Sequence, residues 1–178
     1  GIALAGASIV GRNLGAGDRA GALLAVRSVR RIARTAGIAF CLLFLIGGPL
    51  VAPLFTDDPN ILRETIGYVT ILAWSQLFVA EETVNEKILN GAGHTRPILW
   101  ISSIGNLLRI PLAWALAAPL GLAAAGVWWA INASTALKAI AYNRVVERRA
   151  WLGELDGAQA IQAGRLPIRG GTPGREEG

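Results

Sequence analysis

TAGIAFCLLFLIGGPLVAPLFT, Thr35 to Thr56, holds no charged side chain and is dominated by Leu, Ile, Phe and Ala. A bilayer's hydrocarbon core of about 30 Å needs roughly 20 apolar residues at about 1.5 Å each, so this run is long enough to cross it. Similar stretches follow at Thr65–Ala80, Pro97–Leu108 and Ile110–Leu137. The pattern predicts an all-α fold, a polytopic membrane helical bundle.

Composition agrees. Hydrophobic residues make up 53% of the 178 residues and charged residues 16%, against about 25% charged in soluble domains. Mean hydropathy is +0.46. The net charge of +5 does not point to nucleic acid, because the basic residues gather at the ends of apolar runs, where they set topology. Cys41, the single cysteine, lies within an apolar run and reads as a small buried hydrophobe. With one histidine, His94, a multi-histidine metal site is excluded. No nucleotide-binding loop, catalytic triad or metal cluster is visible, so no enzyme activity, cofactor or metal is expected. The chain contains no methionine and opens inside an apolar stretch, which leads us to expect the C-terminal part of a longer protein.

Outward from Thr35–Thr56, Gly1–Val10 reads as the end of a membrane helix broken by the glycines of Gly11–Asp18, and Arg19–Arg34 as a basic helical segment. The first complete span, Thr35–Phe55, contains Gly47-Gly48-Pro49 and Pro53. The second runs from Ile61 to about Asn90, the third from Pro97 to about Ala118 and the fourth over Gly126–Tyr142. The expected domains are a membrane unit over 1–151 and a Gly-rich, disordered cytoplasmic tail over 152–178. Basic and non-basic connections alternate along the chain. This places Asp57–Asn60 and Pro119–Ala125 outside and the C-terminus in the cytoplasm of a multi-pass plasma (inner) membrane protein. Trp100, Trp114, Trp128, Trp129 and Trp151 fall near span ends, where an aromatic belt would hold them, and Trp74 deeper.

The chemistry-bearing candidates are polar residues inside these spans. Glu82, Glu86 and Asn90 recur every four residues and share a helix face, with Asn85 beside them. Carboxylates at that depth are costly unless they face a wet cavity or a partner, where they can hold a proton or a cation. The alternative is a solvated helix end, with the membrane stopping at Ala80. Glu81 sits on a neighbouring face and is expected to matter less. In the third span, Ser102, Ser103, Asn106 and Arg109 interrupt the apolar run. Arg109 either pairs with a carboxylate or lines a cavity, or else it snorkels or compensates backbone groups freed by Pro111. Asn132, Ser134, Thr135 and Lys138 in the fourth span read as interhelical packing groups.

Five motifs in order resemble the multidrug and toxic compound extrusion family. They are Gly11-Arg12-Asn13-Leu14-Gly15-Ala16-Gly17-Asp18-Arg19-Ala20, Leu54-Phe55-Thr56-Asp57-Asp58, Leu89-Asn90-Gly91-Ala92-Gly93-His94-Thr95, Arg109-Ile110-Pro111-Leu112-Ala113-Trp114 and Gly126-Val127-Trp128-Trp129-Ala130. Arg12 replaces the family's usual Gln, and His94 its common Asp. The resemblance implies the C-terminal lobe of a twelve-helix transporter, from the end of helix eight through helix twelve. The partner N-terminal lobe, with its coupling carboxylate, would lie elsewhere in the same chain. It further implies export of organic cations in exchange for sodium ions or protons, by alternating access within a lipid bilayer. Glu86, five residues before the Gly-Ala-Gly turn, matches an acidic position of some subfamilies. Glu82, Glu86, Asn85, Asn106 and Arg109 are the expected cavity residues. Two alternatives stand beside this reading: a lipid-linked saccharide flippase of the same superfamily, whose cavity would be more basic, and a structural membrane subunit without transport.

Overall fold

The computed structural model describes residues 1–152. Five α-helices form the chain: α1 Ile2–Gly15, α2 Arg19–Val51, α3 Pro59–Gly91, α4 Thr95–Ala117 and α5 Ala123–Glu147. Short 3-10 turns follow at Ala52–Leu54 and Ala150–Leu152. No strand occurs among the described residues.

The expected break at Gly11–Asp18 is narrower in the structure. α1 continues through Gly11 to Gly15, and the reversal falls on Ala16–Asp18. Gly11 stays helical because α1 and α3 touch there backbone to backbone. A Cβ on Gly11 would lie 2.8 Å from the Gly91 carbonyl oxygen, and one on Gly91 would lie 2.3 Å from that of Ala7. Gly17 alone takes a left-handed conformation, φ 75°. The turn Gly91-Ala92-Gly93-His94 repeats this geometry. Gly93 has φ 76°, and His94 N–H donates to the Leu89 carbonyl at 2.9 Å as Asp18 N–H does to that of Asn13 at 2.8 Å.

The basic segment and the first apolar span are one helix. Asp18 caps it, accepting the Gly21 N–H at 2.8 Å, and no proline intervenes before Pro49. At about 1.5 Å per residue α2 is about 50 Å long, enough to cross the bilayer and carry its arginines beyond. The span ends earlier than expected, at Val51, because Pro53 cannot donate to a helical ladder and falls in the 3-10 turn. Asp58 caps α3 through the Asn60 N–H at 2.8 Å, with Pro59 as the first helical residue.

α3 has the most neighbours, and α5 lies between α3 and α4. α5 packs against α3 on one side and α4 on the other, while α3 and α4 scarcely meet; α1 and α2 complete the layer against α3. An apolar core is present, but the bundle also encloses polar side chains and exposes large apolar ones. Ser75, Asn85, Asn132, Ser134, Thr135 and Lys138 are buried, whereas Leu43, Ile46, Leu107, Ile110 and Trp114 are more than 60% exposed. Apolar surface on that scale needs a lipid solvent. By length and composition α2 with its following turn, and α4, are apolar enough to cross a membrane. α3 and α5, also expected as spans, are long enough but are not among the helices apolar enough by that measure. Their mean hydropathy is lowered by the polar residues that the bundle encloses.

Trp151 departs from the expected aromatic belt. It is fully buried in a cluster with Val26, Val146, Tyr142 and Ile88, and its indole N–H donates to the Val146 carbonyl at 3.0 Å. The turn Ala150–Leu152 folds it back under α5, and Leu152 packs on the same cluster. The rest of the expected tail, 153–178, lies outside the described residues.

Candidate functional site

α4 and α5 run antiparallel and are joined by three polar rungs. Ser102 Oγ and Tyr142 Oη are 2.7 Å apart. Lys138 Nζ donates to Asn106 Oδ1 at 3.2 Å. Arg109 Nε donates to Ser134 Oγ at 3.0 Å. Positions 102, 106 and 109 follow the four- and three-residue steps of one helix face, and 142, 138 and 134 run in the opposite direction in steps of four. Gly105 makes the middle rung possible. A Cβ there would lie 2.4 Å from Lys138 Cγ, so the bare backbone is what seats the lysine stem.

The middle rung extends to a third helix. Lys138 Nζ lies 2.7 Å from Glu82 Oε1 of α3, with the two side chains 9% and 15% exposed. Glu82 is about 14 Å along α3 from its end at Gly91, and Lys138 about 14 Å along α5 from Glu147. A charged pair that deep in an apolar bundle is tolerable because each member satisfies the other. Glu86, one turn nearer the end, is 2.9 Å from the adjacent Lys87 ammonium. Both carboxylates lie within electrostatic reach of the Tyr142 hydroxyl.

The structure thus brings Glu82 and Asn106 together through Lys138, sets Glu86 beside them, and places Arg109 one turn further along α4, on a serine rather than a carboxylate. Asn85 is not part of this group. Its amide nitrogen donates to Asn143 Oδ1 at 2.8 Å and to Glu81 Oε2 at 3.3 Å. Residues 81 and 85 share a face about 100° from that of 82 and 86, and this face meets α2 and α5. Asn90 is exposed at the end of α3.

Glu81, expected to matter less than its neighbours, is the hub of this second cluster. It pairs with Arg34 and lies 3.8 Å from Arg30. Arg30 also hydrogen-bonds Asn143 and lies 3.6 Å from Glu147. Lys138, read from sequence as a packing residue, is the cation of the first cluster. A lysine alone in the polar run of an otherwise apolar helix was the available signal; its partner lies on another helix and could not be read from spacing. Among the described residues no group of three or more metal-binding side chains occurs.

A family model described as MatE matches residues 1–115. A probable multidrug resistance protein NorM of Pseudomonas putida is 30% identical over 132 residues, covering 68% of this chain and 29% of that protein. Multidrug and toxin extrusion protein 1 of Homo sapiens is 28% identical over 176 residues, 97% of this chain and 31% of that protein. A probable NorM of Thermotoga maritima is 30% identical over 133 residues, 72% and 28% respectively. The chain therefore spans about three tenths of the length of these relatives. It belongs to the MatE family, whose curated relatives here are multidrug transporters.

Proposed function

We propose that this chain forms part of a secondary multidrug antiporter that exports organic cations in exchange for sodium ions or protons. Glu82 is the carboxylate at which cation and counter-ion compete. The observation that carries this reading is the 2.7 Å ion pair between Glu82 and Lys138, enclosed by α3, α4 and α5. A buried carboxylate needs a positive partner. Lys138 supplies one while the site holds no other cation, and Asn106 gives the ammonium a second acceptor when a proton, a sodium ion or an organic cation takes its place. The carboxylate is thus never left bare in low dielectric, and exchange costs less than outright removal of a charge. Glu86 extends the acidic path toward the end of α3, and Arg109, on the far rung, limits it at the other side.

The remaining parts of the proposal follow from the ends of the bundle. Arg27, Arg31, Lys87, Arg96, Arg144 and Arg148 gather where α2 and α4 begin and α3 and α5 end, while Asp57 and Asp58 lie at the opposite connection. That asymmetry supports a basic cytoplasmic face with a cytoplasmic C-terminus in a plasma or inner membrane. The relatives' greater length supports a second lobe of the same protein as partner, the two rocking about a shared cavity.

Binding of tetraphenylphosphonium, a lipophilic organic cation, to the full-length protein in micelles tests the pairing. Glu82→Gln is expected to abolish binding, and Lys138→Gln, which removes the resident competitor, to keep or strengthen it. Binding unchanged in Glu82→Gln and lost in Lys138→Gln would reverse the assignment.

A further inference from the structure

Two cavities meet at Arg34. One, of about 390 Å³, is lined by Arg27, Arg30, Arg31, Arg34, Thr35 and Glu147. The other, of about 360 Å³, is a largely apolar groove between α2, α3 and α5, walled by Ile38, Leu77, Phe78 and Ile140. The first holds four guanidinium groups against one lining carboxylate, that of Glu147, which is 65% exposed. Glu81, at the edge of the second, engages Arg34 and approaches Arg30. Among the described residues Arg27 and Arg31 carry no ion pair. The Nε of Arg30 is buried without an acceptor.

Planar guanidinium forks in excess over carboxylates, gathered on one face of α2 as the lining of one cup, suit a phosphate group, which accepts several such donors at once. The position of the cup decides what carries the phosphate. Below Arg34, α2 continues directly into exposed Ile38 and Leu42, so the cup stands at the border between the charged end of the bundle and its lipid-facing flank. A soluble anion would fill the cup and leave the groove beside it unused. An amphiphile would fill both. We propose that this composite cleft binds an anionic membrane lipid, its phosphate headgroup held by the arginine cup and one acyl chain laid in the groove of Ile38, Leu77, Phe78 and Ile140. Basic recesses between membrane helices are the recurrent setting for such headgroups. The site is separate from Glu82 and Lys138 and is not a route for the exported cation.

The test uses the full-length protein, stripped of lipid in detergent and titrated with phosphatidylglycerol, the bound lipid being counted by native mass spectrometry. The wild type is expected to retain phosphatidylglycerol in preference to phosphatidylcholine, and inorganic phosphate is expected not to displace it. Arg27→Gln with Arg31→Gln is expected to weaken binding about twenty-five-fold, taking about fivefold for each basic side chain at a membrane surface. Arg144→Gln with Arg148→Gln removes the same charge from exposed positions at the same end of the bundle, outside the cup, and is expected to weaken binding distinctly less, because in detergent no anionic surface surrounds these side chains. Equal losses in the two double variants would mean diffuse attraction and overturn the site. Failure of the wild type to retain the lipid, or equal retention of phosphatidylcholine, would overturn it too. Displacement by inorganic phosphate would overturn the lipid as its occupant.

Discussion

Breaking the pair between Glu82 and Lys138 from both sides at once should cost less than the two single breaks added together. Lys138→Met keeps the stem that lies against Gly105 and deletes the ammonium; Glu82→Gln keeps the side-chain shape and deletes the charge. The two groups approach to 2.7 Å and are 9% and 15% exposed, so solvent screens them little. Two unit charges about 4 Å apart attract by about 4 kcal/mol at an effective dielectric of about 20, and removing one partner of a buried pair costs about 3–5 kcal/mol. Lys138→Met should sit near about 3 kcal/mol, since it strands a carboxylate in the bundle. Glu82→Gln should cost less, because Asn106 remains as an acceptor for the ammonium. The double variant, with no buried charge left, should fall short of the sum of the singles by about 2 kcal/mol or more. Equilibrium unfolding of the full-length protein in mixed detergent micelles reads this directly. Additivity within about 0.5 kcal/mol would mean that the two charges do not interact and would refute the reasoning.

Four further outcomes follow from the packing. Gly91→Ala should destabilise by about 1–3 kcal/mol in the same unfolding assay, since its Cβ meets the Ala7 carbonyl at 2.3 Å. Gly93→Ala, which meets no neighbour but holds φ 76°, should cost only about 1 kcal/mol, a pure backbone term. Trp151→Ala should cost about 3–5 kcal/mol by emptying a fully buried position, so a truncation placed before it should lower expression; normal yield would contradict its place in the core. Glu81→Gln should destabilise more than Glu86→Gln, because Glu81 holds two arginines of α2 while Glu86 meets a lysine on its own helix; the reverse order in a thermal melt would count against the second cluster.

The membrane class and the helices were legible because uncharged runs of bilayer length have few other uses, and turn residues such as Asp18, Asp58 and Gly93 mark the reversals. Helix ends were less legible. Gly11 and Gly15 look like breakers in sequence, yet both remain helical; at Gly11 the missing side chain leaves room for the Gly91 backbone, while at Gly15 no neighbour stands where a side chain would be. The site was legible by helix face only. A spacing of four put Glu82 with Glu86 correctly, since both belong to α3. It could not say that Lys138 on α5 would reach Glu82, or that Asn85 would turn to Glu81 and Asn143, since those meetings depend on how α3 and α5 cross. Arg109 meets Ser134 for the same reason, its partner being set by the register of α4 against α5.

The most direct measurement of the central claim is driven efflux of tetraphenylphosphonium from proteoliposomes holding the full-length protein, under imposed proton and sodium gradients. The account predicts that Glu82→Gln, inserted and folded like the wild type, loses efflux under both gradients, and that Glu86→Gln is impaired less. Wild-type efflux by Glu82→Gln across pH and sodium concentration would contradict it.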